Sequence, residues 1–452
     1  MNSDYIITLP KGVEAKIKEI TLSSDNQLLI LGNGFDLQCG LKSSFDDFMK
    51  IRNTIYKKIN QSINYRLRNS KSFPVITITN PFGKKQCGKT LPYMLWDQGL
   101  TVWDFILDED KKRRKWFNIE SCIKRWVNYR PTKYKGRENC YKSNVDWICE
   151  RYSRINWNSE TYSHLPVDAE SCIISYAHFF YKWNGKPQTL LNLLLDQLHR
   201  FEHVFAVYLK EQLKKSHTYK HDSTNLILNI ANDEIPHRIP VLKADTAKSE
   251  FLGKPNTINI LDFNFTYPMI ESWKKRPYCI NIHGQADENN IIFGVDGLKL
   301  TRDHEDYKSM VQFTKTYRLM ALSGKHHRSL VYPHRAGSPN KATSMIKFFG
   351  HSLDFADYSY FQAIFDEVDL YESDTRLIFY YNGKRRNGEK GNKGEKRGVK
   401  EEMFREVNHL IAGYGESLDN KDHGRNLLHK LLLEGRLTIK QAPLAYNPAY
   451  YQ

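Results

Sequence analysis

No apolar run in the sequence approaches the roughly 20 residues that cross a bilayer. Met1 to Ser24 pairs no charged start with an apolar core, as a signal peptide does. The two absences together lead to the expectation of a cytoplasmic protein without membrane contact. The seven cysteines are dispersed and form no C-x-x-C pair, which excludes the common zinc and redox frameworks and leaves reduced thiols. No internal repeat is present.

What is present is a hydrophobic share of 40% with 27 Tyr and 23 Phe, which argues against disorder and fits two or three folded domains. The net charge of +16 is concentrated: residues 51–150 hold 21 Lys and Arg against 9 Asp and Glu, and Asn382 to Lys400 hold 8 against 2. "KKRRKWF", Lys111 to Phe117, sets basic side chains beside aromatic ones, a combination that meets phosphates and stacked bases. The alternative is a solvated charged face. Because no groove-reading motif accompanies the charge, the expected nucleic-acid binding is weak and sequence-independent. "NGKRRNGEKGNKGEKRG", Asn382 to Gly398, has almost no apolar residue and reads as a flexible loop.

Buried-strand patterns at Gln27–Leu31, Thr257–Phe263, Cys279–His283, Ile291–Phe293, Met345–Phe349 and Arg376–Tyr381, several followed by helical ones, predict an α/β, Rossmann-like fold with a mostly parallel sheet. Thr189 to Lys215 carries Leu190, Leu191, Leu194, Leu198, Phe201, Phe205, Tyr208 and Leu209 at helical spacing, a core stripe. Ser43 and Ser44, with Asp46 and Asp47 three residues on, predict a capped helix start. The expected division places the first strand and a glycine turn in 1–50 and a basic helical insertion in 51–222. The rest of the Rossmann-like domain occupies 223–382, the loop 383–400 and a helical C-terminal segment 401–452.

The chemistry gathers where strands end. In "LLILGNGFDLQCGLKSSFDDF", Leu28 to Phe48, Gly32 and Gly34 follow the first strand, and a helix opening near Phe35 would point its free N–H groups at a diphosphate. Leu37 stands in the third glycine's place of G-x-G-x-x-G, and a tight turn with no ligand is the alternative. Asp36 would repel phosphate, so it is expected to cap the helix or face a ribose hydroxyl. "NILDFNFTY" puts Asp262, Asn264 and Thr266 on alternate residues, on one face if the strand continues. "INIHG" ends in His283 and Gly284. "FFGHSLDFADYSYF" repeats strand, glycine and hydroxyl, with Ser352 the expected N-cap. His351, like His326 and His327, is expected at the surface or in a cap.

These segments resemble the AbiH family of bacterial abortive-infection proteins, and that resemblance implies a role in defence against bacteriophage. A more distant similarity is to sirtuins and sirtuin-like NAD hydrolases, on Gly32 and Gly34, Gly40-Leu41, Asn264, His283-Gly284 and Gly350 to Ser352 in order. It implies NAD as substrate or ligand, bound through Gly32, Asn33, Gly34, Phe35, Asp36, Asp262, Thr266, Gly284, Gly350, His351 and Ser352. Asn264 would orient a water or a ribose hydroxyl and His283 would serve as general base, with no metal. Thr266 stands where those enzymes are acidic, Asn33 and Asp36 replace a small residue and a hydroxyl, and the sirtuin zinc cysteines are absent, which speaks against a deacylase.

Two other classes stay open. Asp36, Asp262, His283 and Asp296 are ligand types that would hold Mg²⁺ or Mn²⁺ in a nuclease or phosphoesterase whose basic segments grip RNA or DNA. Alternatively the pocket senses a nucleotide without catalysis and the helical insertion binds a partner. An enzyme that destroys a common metabolite must be off at rest, so homo-oligomerisation or a phage or host protein trigger is expected.

Overall fold

The structure, a computed structural model, describes residues 5–6, 26–55, 76–79, 85–88, 99–114, 118–127, 130–134, 137–153, 169–234, 250–251, 258–269, 277–295, 307–320, 329–334, 342–353, 357–382 and 393–443. Two compact units emerge: Met1–Lys42 with Glu211–Gln285 and His326–Gln452, and Ser43–Lys210 with Ala286–Lys325. No helix among the described residues is long and apolar enough to cross a membrane.

The first unit is built on β1 (Asn26–Leu31), β2 (Ile258–Asp262), β3 (Tyr278–Asn281), β4 (Thr343–Phe349), β5 (Arg376–Tyr381) and β6 (Leu437–Gln441). Their order is β3-β2-β1-β4-β5-β6, and every neighbouring pair is parallel. This is the α/β, Rossmann-like sheet that the strand patterns predict. Its order reverses between β1 and β4, the switch point of such sheets. The helices of this unit are α1 (Asn33–Gln38), α3 (Tyr219–Asn232), α4 (Tyr358–Glu367), α5 (Lys393–Ser417) and α6 (Lys421–Leu433), while α2 (Pro187–Lys215) belongs up to Lys210 to the second unit.

Both faces of the sheet are covered, which is why its strands read as nearly unbroken apolar runs. Leu28, Ile30, Ile346, Phe348, Leu377 and Phe379 pack on Phe361 and Phe365 of α4, Ile411 of α5 and Leu427 of α6. Leu29, Leu31, Ile260, Met345 and Phe349 pack on Phe35 of α1 and on Leu226, Ile227 and Ile230 of α3. α3 therefore belongs with the sheet, although its first residues, Tyr219 to Asp222, fall within the segment expected as insertion. α5 begins at Lys393, so the last part of the segment read as a loop is helical.

Lys347 is the polar exception in β4. It is fully buried, and its ammonium donates to the carbonyls of Ile230 (2.8 Å), Ala231 (3.1 Å) and Asp233 (2.7 Å) at the C-terminal end of α3. These are among the last carbonyls of the helix, where intrahelical donors run out, so the lysine serves as a cap brought in from the sheet, beside the Asp233 N–H that also reaches Ile230 O. Burial pushes it down to about 7, against the pull of Asp233 and Glu234. An unfolded lysine keeps its proton to about 10. Between those values the unfolded chain binds the extra proton, so stability rises with pH. Thermal melts from pH 7 to pH 9 should show that rise in the wild type. Lys347→Met should lose it, together with part of the stability at every pH.

In the second unit, residues 45–55 are helical, and Ser44 closes the start as expected: its Oγ accepts from the Asp47 N–H (3.1 Å) and donates to Asp47 Oδ2 (2.7 Å). The apolar stripe of α2 is buried throughout. Phe201 and Phe205 meet Phe45, Phe48 and Phe293 edge-on or tilted. Ile291–Phe293 is not a strand. The Phe293 N–H donates to the buried Glu202 carboxylate (2.6 Å) instead of to a ladder, and Arg318 clamps the same carboxylate with both guanidinium nitrogens. Asp104, also buried, is held in the same manner by Arg52 at 2.8 and 2.6 Å.

Candidate functional site at the carboxyl edge of the sheet

The four predicted motifs meet at one edge of the first unit. Gly32 N–H donates to Phe349 O (2.9 Å) and Gly34 N–H to Gly350 O (2.8 Å), so the turns after β1 and β4 lie backbone against backbone at the switch point. A Cβ on Gly32 would sit 2.5 Å from the His351 Cα, and one on Gly34 would sit 2.7 Å from the Gly350 Cα. Close approach, rather than an open phosphate cradle, is what requires these glycines. The diphosphate expectation for the turn is corrected accordingly: α1 is six residues long, and the Gly34 and Phe35 N–H groups already donate to Gly350 and Gly32 carbonyls. Asn33 is exposed, while Phe35 is buried with its ring edge on Phe349.

The strand carrying "NILDFNFTY" stops at Asp262, so Asn264 and Thr266 reach the same place through a bend and not by strand alternation. Asn264 donates its amide group to Asp262 Oδ1 (2.8 Å) and Gly32 O (3.2 Å). Buried and so engaged, its amide nitrogen braces the edge. Asp36 does not cap α1 or face outward; it accepts from Tyr219 Oη (2.6 Å) and Thr266 Oγ1 (2.6 Å) in the interior. Asn281 ties β3 in, donating to Asp262 Oδ2 and to the carbonyls of Asn264 and Thr266. Burial pushes Asp262 well above the usual carboxylate range, and Asp36 adds to this while the donors from Asn264 and Asn281 oppose it.

His283 and His351 do come together, through Asp357, a residue of the "FFGHSLDFADYSYF" segment that the sequence reading does not single out. His283 Nε2 lies 3.6 Å from Asp357 Oδ1, and His351 Nε2 lies 3.4 Å from Asp357 Oδ2. Phe263 packs edge-on against both imidazoles, at 5.4 and 4.5 Å between centroids. His351 is 8% exposed and its Nδ1 accepts the Leu353 N–H at 2.9 Å, so of the two expected places, surface or cap, it takes the capping one. Ser352 is exposed and is not the N-cap, because α4 starts at Tyr358 behind Asp357. Gly284 turns the chain after His283 at φ +84°. Two signals could have marked Asp357: it stands just before the helix that succeeds a strand-end glycine turn, and it is acidic near His351.

Among the described residues, no group of three or more His, Cys, Asp and Glu is arranged to hold a metal ion. Asp36 and Asp262 are engaged as above, and Asp296, His326 and His327 lie outside the described residues. The same holds for residues 383–392 and for the side chains of residues 112–117 in the basic segments. Cys39, Cys122, Cys149 and Cys279 are in no disulfide.

A parallel sheet that reverses its order at two facing glycine turns, with imidazoles and a carboxylate on the neighbouring rim, defines a Rossmann-like α/β protein. Residues 28–381 match the family model described as "Bacteriophage abortive infection AbiH", and the chain belongs to that family. Its role is accordingly in bacterial abortive infection, a defence against bacteriophage. Comparison with curated proteins and with solved structures gave no match.

Proposed function

We propose that the chain binds a nucleotide over the carboxyl edge of its sheet and cleaves it, with NAD as the substrate. One observation carries the reading: the strand order reverses between β1 and β4, and ligands of open α/β sheets bind outside the strand ends at that point. The turn amides there are engaged within the protein, so what the edge offers is acid–base chemistry at His283, suited to a glycosidic bond. Water attacks C1′ of the nicotinamide ribose and its proton passes to His283. The C–N bond breaks with its electron pair going to nicotinamide, which leaves neutral, and ADP-ribose remains.

The test is made in infected cells, where any trigger is present. In bacteria expressing the chain, phage infection should deplete NAD with matching appearance of nicotinamide and ADP-ribose, while uninfected cells keep their pool. An NAD pool that survives while infected cells still abort phage production would sink the reading.

A further inference from the structure

We infer that Asp357 and His351 are positioning residues that hold the His283 imidazole through one shared carboxylate. The chemical use of His283 rests on the NAD-cleaving reading above, whereas the coupling among the three side chains stands on geometry. His351 Nδ1 accepts the N–H of Leu353 at 2.9 Å. A ring nitrogen that accepts carries no hydrogen, which assigns His351 its Nε2–H tautomer, with Nε2 3.4 Å from Asp357 Oδ2. The other carboxylate oxygen is thereby turned toward His283 Nε2 at 3.6 Å. The order of groups is that of a base followed by a second group and a third, here at ion-pair distances of 3.6 and 3.4 Å and not at hydrogen-bond length.

The surroundings favour such a relay. Phe263 contacts both rings, Phe265 and Tyr360 flank His283, and Phe361 flanks His351. Apart from the trio itself, Tyr360 is the one titratable group among these contacts. In an aromatic setting a carboxylate at this distance acts on the His283 ring with little screening and opposes the loss of charge that burial favours. The turn that presents His351 is also held in an unusual backbone: Gly350 at φ +69° and Leu353 at φ +51° are both left-handed. Leucine adopts that region at a cost, and here it places the Leu353 N–H on His351 Nδ1.

The experiment tracks the ring nitrogens of ¹⁵N-histidine-labelled full chain by long-range ¹H–¹⁵N spectra over pH 5–9. Asp357→Asn should lower the midpoint of His283 by about one pH unit or more, and Asp357→Glu should restore part of it. His351→Gln should lower it less, by letting the carboxylate swing away, and it carries the test if Asp357→Asn does not fold. An unchanged His283 midpoint in a folded Asp357→Asn or, failing that, in His351→Gln would overturn the inference. Loss of NAD cleavage is a separate result. A midpoint shift without any NAD turnover leaves the coupling standing and removes the reaction, and NAD turnover without the midpoint shift does the reverse. Where turnover is seen, the acid limb of its pH profile should move down with the midpoint in Asp357→Asn.

Discussion

Cells carrying His283→Gln should lose phage protection to the level of cells lacking the protein, and their NAD pool should persist through infection. General-base contributions run to about 10²–10⁴ in rate, enough to turn a depletion completed within one infection cycle into one that is never reached. Glutamine is chosen because His283 is only 5% exposed and is ringed by Phe263, Phe265 and Tyr360. Truncation to alanine would leave a void in that collar and confuse lost chemistry with lost packing. Glutamine fills most of the volume but does not titrate. Circular dichroism and a melting curve close to wild type establish the fold, and plaque counts and NAD levels then read the function. Full protection by a well-folded His283→Gln would remove His283 from the chemistry.

Gly350→Ala should unfold the first unit or leave it severely weakened, whereas Gly40→Ala should be mild. Both glycines are left-handed, at φ +69° and +78°, and a methyl group in that region costs roughly 1–2 kcal/mol. The two differ in what the methyl group meets. Around Gly40 there is nothing within 4 Å, but at Gly350 the added carbon would collide with the Phe35 amide nitrogen and the Gly34 backbone. Those atoms are backbone from the turn after β1 and cannot swing aside as a side chain would. Overpacking of that kind adds about 1–3 kcal/mol or more, against a total stability of roughly 5–15 kcal/mol for a domain. Chemical denaturation of the two variants against wild type separates the terms. Equal, small losses would show that the two glycine turns are not in the contact described.

Both predictions bear on how far the sequence could be read. Its strand periodicities located five of the six sheet strands, since a run buried on both faces is written into consecutive residues. β6, "LTIKQ", escaped because it is a half-exposed edge strand with two polar side chains at its end. Ile291–Phe293 reads as a strand because an apolar triplet buried by aromatic packing has the same composition as a short strand. Only its partner, the Glu202 carboxylate, distinguishes the two.

By itself the sequence determined the fold class, the family, the amphipathic face of α2 and the position of His283 at the end of a strand pattern, all of which depend on period or motif over a few residues. Tertiary structure alone decided which groups those positions meet. Tyr219 reaches Asp36 across 183 residues of chain, and Asp357 stands between two histidines that belong to separate strand ends. It also decided that Gly34 donates to Gly350 and not to a ligand, and that Asn264 braces Gly32. Local pattern sets which face of an element is apolar. The strand order sets which strand ends become neighbours, and a hydrogen bond depends on that neighbour to within a few tenths of an ångström.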